Sequence, residues 1–355
     1  MDKKRVLYLD VCRIVATFFM VMIHVVAPLW GGTSASSDEW GIMNIYDSIA
    51  RFCVPLFLMI SGALMLDKNK EKSTTDLFKK NILRIIIAFV FWSAIYLIPY
   101  YFYDGVRVKT QFMLKFQGGH YHMWFLFTIL GIYLMIPLIK SFIYDDKKCK
   151  YFLILWLVFS IIIPNIYLIS ELFPNLPHFL QDEFRFLSTL SEKIQPSLVL
   201  GYVGYFVLGY YLHNKEISSK LTTIINISAI IGIVATIIMT KRVSILRGEN
   251  VMYFYEFLTP NVLLPSIAVM ISAKKLVPNE MNLTMTKVLT SLSKLSLGIY
   301  LSHALFEIIL RRNGINVNSL NYMYMVPILT LLIYLLSAFT TYIISKIPVL
   351  RKYIV

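Results

Sequence analysis

The 355-residue chain contains little charge and almost no cysteine. Only 15% of its residues are Asp, Glu, Lys or Arg, whereas soluble proteins carry about 25%. Its three cysteines, Cys12, Cys53 and Cys149, are scattered and form neither a metal-ligand nor a disulfide pattern. The sequence also contains no nucleophile elbow, no phosphate-binding loop and no zinc-ligand spacing. These absences argue against a soluble enzyme, a disulfide scaffold and a metal site.

Hydrophobic residues are abundant instead. They make up 57% of the chain, and the mean hydropathy is +0.67, which predicts an integral membrane protein. The net charge of +14 would suit a nucleic-acid binder, but lysine and arginine also collect in the cytoplasmic loops of membrane proteins. We therefore expect a lipid bilayer, and no nucleic acid, as a partner. Since no gap between apolar segments is large enough for a soluble domain, residues 1–355 are expected to form a single integral-membrane domain.

The apolar segments predict an all-α bundle of about ten transmembrane helices. An even number of spans places both termini on one side. Of the 34 Lys and Arg residues, 21 lie in the loops on that side and ten in the loops on the other, which makes the side of the termini cytoplasmic. The N-terminal MDKKR before an apolar run also resembles a signal peptide, but Arg13 interrupts the run and no small-residue cleavage site follows, so a retained helix is favoured. The predicted spans are 6–30, 45–66, 81–103, 122–139, 151–170, 196–212, 221–240, 251–273, 295–310 and 322–346.

The first span carries ionisable residues at membrane depth. Arg13 and His24 are 11 residues apart, so they lie within about 20° of each other on a helix and about 16 Å apart along its axis. Thr17 lies on the same stripe, and Asp10 can reach Arg13 from three residues earlier. Asp10 and Arg13 could merely anchor the end of the helix. His24 lies too deep for that role, so one face of this helix is predicted to be a polar track.

The predicted topology arranges the remaining polar residues in two layers. The inner layer contains Asp10, Arg13 and Arg84, with Lys79 and Lys80 at its mouth. The outer layer contains His24, Arg51, His122 and Trp124, and His303 lies near mid-membrane. The polar segment of about 171–195 is expected to be an outer loop that could act as a lid.

Structural roles compete with these functional ones. An arginine beside two lysines, such as Arg84, is a positive-inside anchor about as often as it is a functional residue. Tyr121 and Trp124 at a membrane edge are typical of an aromatic belt. His120 and His122 would individually be solvated loop residues more often than catalytic ones. His24 and Arg51 fit structural roles least well, because neither reaches the interface easily from its depth.

Four stretches together resemble the acyltransferase-3 membrane family, over nearly the whole chain. They are Leu9-Asp10 with Arg13 and His24; RFCVPLFLMISG from Arg51 to Gly62; YHMWFL from Tyr121 to Leu126, followed by Ile132-Tyr133 and Pro137-Leu138; and SLGIYLSH from Ser296 to His303, followed by Arg312 and Gly314. Ala88 stands where many members of the family carry proline. No esterase-like extracellular domain is expected after the membrane region, unlike in some members.

The resemblance implies acetyl transfer from cytoplasmic acetyl-CoA to a hydroxyl of a saccharide or lipid-linked glycan of the cell envelope, in the inner membrane of a bacterium. Acetyl-CoA would be a co-substrate, and no bound cofactor or metal is expected. Guanidinium groups bind phosphate well, and a histidine can act as a general base near neutral pH. His24 and Arg13 are therefore the expected catalytic pair. Expected donor-binding residues are Asp10, Arg84, Lys79 and Lys80, and expected acceptor-binding residues are Arg51, His122, Trp124, Tyr300 and His303.

The main alternative is a transporter or flippase for an envelope saccharide. Polar residues at membrane depth also mark permeation paths. Many transporters show inverted repeats with broken helices at matching positions, and residues 1–175 and 176–355 show no such symmetry. A non-catalytic sensor is a third alternative, but no sequence feature favours it.

Overall fold

The computed structural model describes residues 5–68, 73–103, 109–173, 175–194, 200–278 and 280–354. These residues form helices and no strand, which confirms the predicted all-α bundle. The helices are α1 Leu7–Trp30, α2 Asp38–Ala50, α3 Cys53–Met65, α4 Thr74–Asp76, α5 Leu83–Phe102, α6 Lys109–Gly118, α7 Trp124–Ile143, α8 Asp146–Trp156, α9 Leu168–Leu172, α10 His178–Ile194, α11 Val203–Asn214, α12 Ser219–Arg247, α13 Pro260–Leu276, α14 Leu283–Arg312, α15 Tyr322–Ser345 and α16 Pro348–Tyr353. Short π-helical turns, Leu77–Ile82 and Leu157–Ile162, precede α5 and continue α8.

Among the described residues, nine helical segments are long and apolar enough to cross a membrane. They correspond to nine of the ten predicted spans. The tenth, predicted at 196–212, corresponds to α11, while residues 195–199 lie outside the described part of the chain. The 12 residues of α11 extend over about 18 Å, which is less than the roughly 30 Å of a bilayer's hydrocarbon core.

Helix α11 nevertheless runs between the same two ends of the bundle as its neighbours. At its start, the ring of Tyr202 lies 5.9 Å from that of Trp124, the first residue of α7. At its end, Nδ1 of His213 is hydrogen-bonded at 2.6 Å to the hydroxyl of Tyr8, in the first turn of α1. The alternation of directions therefore includes α11 and agrees with the placement of both termini on one side.

Helix α1 is the central helix, and it packs against α2, α3, α13, α14 and α15. Its inward-facing residues, such as Cys12, Ala16 and Val21, are fully buried. They are small or medium-sized, and this lets several helices approach α1 closely. The polar residues of α1 therefore lie in the interior of the bundle rather than at its lipid-facing surface.

The second predicted span, 45–66, is two helices rather than one. Helix α2 ends at Ala50 and α3 begins at Cys53, with Arg51 and Phe52 between them. Pro55 in the first turn of α3 has no N–H with which to bond the carbonyl of Arg51. The break therefore follows from the proline, and it places Arg51 at the junction.

Several boundaries differ from those expected; α13 begins at Pro260 rather than at 251, and α12 ends at Arg247 rather than at 240. The segment predicted as an outer loop contains the helix α10, whose exposed residues Phe179, Phe186 and Leu190 follow a helical spacing. Helix α14 begins at Leu283, 12 residues before the predicted span at 295, because Asn282 caps it by accepting a hydrogen bond from the N–H of Met285 at 2.8 Å. Hydropathy missed this first part because it contains lysines, serines and threonines. Helix α5 continues without interruption through Ala88.

Two glycines bring α3 and α11 into backbone contact. A methyl group on Gly62 would lie 1.7 Å from the carbonyl oxygen of Phe206, and one on Gly209 would lie 2.0 Å from that of Met59. No side chain fits at either position. The two helices are thus packed as closely as their backbones allow.

Candidate active site

The polar face of α1 faces the interior of the bundle. The hydroxyl of Thr17 donates a 2.7 Å hydrogen bond to the carbonyl of Arg13, so it is satisfied within the helix. Pro28 lies four residues after His24 and has no N–H. The carbonyl of His24 therefore lacks its usual helical donor, and His24 presents both an imidazole and a backbone acceptor.

At the inner end, Asp10 connects two arginines. Its carboxylate accepts hydrogen bonds from Arg5 at 2.5 and 2.8 Å and from the hydroxyl of Ser293 on α14 at 2.6 Å. Arg13 donates to the same serine hydroxyl at 3.3 Å. Asp10 is 4% exposed, so its charge is balanced by Arg5 inside the protein. This contact with Ser293 fixes the position of the Arg13 side chain along the axis of α14.

Arg84 belongs to the same layer, as predicted. The hydroxyl of Tyr133 on α7 interacts electrostatically with both Arg13 and Arg84, which brings α1, α5 and α7 together at one level. Lys79 and Lys80 precede α5 and are exposed, and Lys80 forms a 2.9 Å ion pair with Asp76. The two lysines therefore lie at the surface near the inner cluster.

At the outer end, four histidines from three parts of the chain form one cluster. The ring of His24 lies 4.8 Å from that of His303 and 6.0 Å from that of His122. The rings of His122 and His303 are 4.9 Å apart. His120 and His122 share a 2.8 Å hydrogen bond between their Nδ1 atoms. We call His24, His120, His122 and His303 the histidine cluster.

Three tyrosines hold the histidine cluster in place. Nδ1 of His24 lies 3.1 Å from the hydroxyl of Tyr121. Tyr300 donates its hydroxyl hydrogen to the carbonyl of His122 at 2.7 Å. The ring of Tyr96 stacks on His120 with centres 4.4 Å apart, and its hydroxyl donates to the carbonyl of Leu301 at 2.9 Å.

Two buried imidazole nitrogens of the cluster have no hydrogen-bond partner among the described residues. His303 donates from Nδ1 to the carbonyl of Tyr300 at 2.7 Å, which makes Nε2 the acceptor of the neutral ring. Within the described residues, Nε2 of His303 and Nε2 of His122 are buried without a hydrogen-bond partner. His24 differs from the other three because it is only partly buried. It is therefore the histidine that a substrate reaches most easily.

Arg51 is buried between Asp47 and two aromatic rings. It forms a 2.5 Å ion pair with Asp47 one turn earlier, and its guanidinium lies 4.4 Å from the ring centre of Tyr255 and 5.8 Å from that of Phe257. The ring of Trp124 stacks on that of Phe257 with ring centres 5.9 Å apart, and Trp124 is 38% exposed. Trp124 thus offers an accessible aromatic face, whereas Arg51 is 8% exposed.

Several of these residues were not anticipated. His120 was expected to be solvated, but it is 5% exposed, because Tyr96 covers its ring. Tyr121 was interpreted as part of an aromatic belt, yet it contacts His24. The four-residue spacing of Asp47 and Arg51 could have revealed their pairing. Ser293 contacts Asp10 from 283 residues away, and no sequence signal reveals such a contact.

The histidine cluster does not have the geometry of a metal site. Among the residues that the structure describes, no three His, Cys, Asp or Glu side chains are placed to hold a metal ion. The arrangement instead provides proton acceptors at one end of a polar track and fixed positive charges at the other. Such a track can hold an anionic group at the inner end and exchange a proton at the outer end.

Comparison with known proteins identifies the family. Residues 6–346 match the acyltransferase domain of the acyltransferase-3 family. Neither the search of curated proteins nor that of solved structures returned a match. The match covers nearly the whole chain and includes every residue of the inner and outer clusters except Arg5, so the chain belongs to the acyltransferase-3 family and is a multi-pass membrane acyltransferase.

Proposed function

We propose that this acyltransferase is an O-acetyltransferase that moves acetyl from cytoplasmic acetyl-CoA to a hydroxyl of a cell-envelope saccharide. Within its family, the sequence resembles the O-acetyltransferase that acts on enterobacterial common antigen. One observation carries the proposal: α1 connects a cluster of fixed positive charges to a cluster of histidines through the interior of the bundle. The first suits an anionic donor and the second suits proton transfer.

The donor is held at the inner end. Arg13 and Arg84 bind its phosphate groups, since guanidinium binds phosphate through paired hydrogen bonds. Asp10 orients Arg13 through Ser293, and Lys79 and Lys80 attract the anion to the mouth of the site. The pantetheine arm of CoA has about the length of four or five residues, or roughly 15 Å. This length matches the axial separation of Arg13 and His24, which is about 16 Å.

His24 is the general base. With Nδ1–H donating to the hydroxyl of Tyr121, Nε2 takes the proton from the acceptor hydroxyl. The oxygen attacks the acetyl carbonyl, the C–S bond breaks, and the CoA sulfur leaves as a thiolate. The proton on His24 then passes to that sulfur, so the products are the acetyl ester and CoA, and the histidine is neutral again.

The acceptor approaches from the outer end. Trp124 offers its exposed face to a sugar ring, and His122, His303 and Tyr300 line the space around His24. Arg51 is held by Asp47 at the edge of this space, where its positive charge stabilises an anionic group of the acceptor. Arg13 supports the transfer from the inner side by holding the donor in line with His24.

The decisive experiment measures transfer directly. Purified protein is incubated with acetyl-CoA and an envelope glycan, free CoA is measured, and the glycan is examined by mass spectrometry for an added acetyl group. An acetyltransferase produces CoA and acetylated glycan in equal amounts. Movement of glycan across vesicles with no CoA release would support a transporter instead.

The orientation is tested separately. We propose that the protein lies in the inner membrane of a bacterium with both termini in the cytoplasm, because positive charge is concentrated in the loops on that side. Reporter fusions at Lys147 and Val355 should be cytoplasmic, and a fusion at Asp38 should be external. An external reporter at Val355 would contradict this orientation.

A further inference from the structure

The polar face of α14 continues beyond the histidine cluster towards the outer end of the bundle. His303 and Glu307 are four residues apart, so they lie on the same face of the helix, one turn from each other. Glu307 is 8% exposed, and its carboxylate accepts a 2.6 Å hydrogen bond from Nε of Arg311, one turn further on. The ion pair with Arg311 compensates the burial of the carboxylate's charge. A buried carboxylate is therefore held one turn from His303.

Glu307 faces α1 just beyond the level of His24. A small cavity of ≈20 Å³ is lined there by residues of both helices, among them Val25 and Pro28 of α1 and Glu307 and Arg311 of α14. Val25 follows His24 directly in the sequence. Glu307 therefore lies close to the turn of α1 that follows His24.

Tyr121 connects Glu307 with His24. The hydroxyl of Tyr121 lies 3.1 Å from Nδ1 of His24, and the two rings meet edge to face with centres 5.4 Å apart. Tyr121 also interacts electrostatically with Glu307 and with Arg311, and the carboxylate has the larger effect of the two. A negative charge attracts the hydrogen of a hydroxyl group and repels the lone pairs of its oxygen. The carboxylate thus favours the orientation in which the oxygen of Tyr121 accepts a hydrogen bond from His24.

We propose that Glu307 is a positioning residue that sets the tautomer of His24 through the hydroxyl of Tyr121. This inference rests on the proposed function, in which Nε2 of His24 takes the proton from the acceptor hydroxyl. A neutral imidazole carries its hydrogen on one nitrogen only. When Tyr121 accepts from His24, that hydrogen lies on Nδ1, and Nε2 is free to act as the base. When Tyr121 donates to Nδ1 instead, the hydrogen lies on Nε2, and His24 cannot take a proton there.

A purely structural role would use the same ion pair. Glu307 and Arg311 have the four-residue spacing of a helical ion pair, and Arg311 lies in the last turn of α14, where a positive charge interacts favourably with the helix dipole. The two roles differ in what they require of Tyr121. A structural ion pair stabilises α14 whether or not the hydroxyl is present, whereas positioning of His24 acts only through that hydroxyl.

A double-mutant cycle in acetyl transfer by the full-length protein separates the two roles. Glu307→Gln should lower kcat about two- to fivefold and leave KM for acetyl-CoA unchanged, because the tautomer is no longer fixed while the donor site is untouched. The loss is modest because Tyr121 is 55% exposed, and solvent weakens its interaction with the carboxylate. Glu307→Asp, which keeps the charge, should retain more of the activity than Glu307→Gln.

The decisive variant of the cycle combines both changes. In a Tyr121→Phe background, Glu307→Gln should lower kcat no further, since the hydroxyl through which it acts is gone. Losses that multiply in the double variant would overturn the proposal and assign Glu307 to the stability of α14. Glu183→Gln is the matched control, because Glu183 is exposed on α10, and it should leave kcat unchanged in either background.

A measurement of the tautomer makes the test independent of turnover. The chain contains six histidines, so the nitrogen NMR spectrum of protein labelled at histidine in lipid vesicles has few signals, and those lost in His24→Asn belong to His24. His24 should carry its hydrogen on Nδ1 in the wild type and populate both tautomers in Glu307→Gln. An unchanged tautomer in Glu307→Gln, or hydrogen on Nε2 in the wild type, would overturn the proposal even in an active acetyltransferase. The expected tautomers in a protein that transfers no acetyl would support the role of Glu307 and contradict the proposed function.

Discussion

The two ends of α1 carry polar clusters of different chemistry. The inner cluster contains guanidinium groups and one carboxylate, and Asp10 pairs with Arg5 at 2.5 Å. The histidine cluster contains four imidazoles, whose ring nitrogens can accept or donate a proton. Fixed positive charge suits the binding of an anion, and imidazole suits proton transfer. The contrast teaches that one helix can place two polar clusters of different chemistry about 16 Å apart.

Replacing the proposed general base, His24, should have the largest effect on activity. We expect His24→Asn to insert and bind acetyl-CoA normally but to lose activity by about 10²–10⁴-fold, because the amide can hydrogen-bond but cannot accept the proton. Activity of the wild type should fall on acidification as the base becomes protonated, and this limb should be missing from the residual activity of the variant. The assay is acetyl transfer as a function of pH.

His178→Asn is the control for this variant, because His178 is exposed on α10. It should retain activity and the acidic limb. If the limb persisted in His24→Asn, the base would lie elsewhere, and Nε2 of His303 would be the next candidate.

Breaking the buried ion pair between Asp47 and Arg51 tests whether these two charges stabilise the fold. Asp47→Ala leaves the 8%-exposed Arg51 without its carboxylate partner, and loss of one member of a buried pair costs about 3–5 kcal/mol. Thermal unfolding in detergent should show a clear loss of stability. The matched control is Asp76→Ala, which breaks the exposed pair with Lys80 and should cost about 0–1 kcal/mol. Equal stability of the two variants would show that Arg51 does not depend on Asp47.

Weakening the inner cluster should change donor affinity rather than chemistry. Arg84→Ala removes a charged hydrogen bond worth about 1.5–3 kcal/mol, so acetyl-CoA affinity should fall at least roughly tenfold. Calorimetry measures this, and Lys287→Ala is the control, since Lys287 is exposed at the start of α14. Unchanged affinity in Arg84→Ala would assign Arg84 to anchoring α5 at the membrane surface.

The smallest effect is expected at Tyr121. Tyr121→Phe keeps the ring but removes the hydroxyl that lies 3.1 Å from Nδ1 of His24. A hydrogen bond worth about 0.5–1.5 kcal/mol corresponds to a fall in kcat of about two- to tenfold, with KM unchanged. Tyr324→Phe, at an exposed tyrosine of α15, should have no effect. A rise in KM with constant kcat in Tyr121→Phe would make Tyr121 a substrate contact instead.

Sequence reasoning succeeded where a pattern lies within one helix. The 11-residue spacing of Arg13 and His24 predicts their shared face, and membrane depth explains why both point inward. Hydropathy also located nine spans, although it missed the first part of α14 because its lysines and threonines lower the average. Pro55 indicates the break between α2 and α3 at Arg51, but this break was not predicted.

Contacts between distant segments were beyond such reasoning. His120, His122 and His303 join His24 through the packing of α1, α5, α7 and α14, and no spacing in the sequence encodes it. Tyr133 and Ser293 were missed for the same reason. Topology predicts the level of a residue in the membrane, whereas the rotation of each helix depends on packing with its neighbours.

The close contact between α3 and α11 limits how the protein can move. These helices belong to opposite halves of the chain, and Gly62 and Gly209 let their backbones touch. Transporters of alternating access rock one half against the other, and such rocking would have to pull this seam apart. This close contact favours a static scaffold, in which an acyl group would move along a fixed path, over one that alternates its access between the two sides of the membrane.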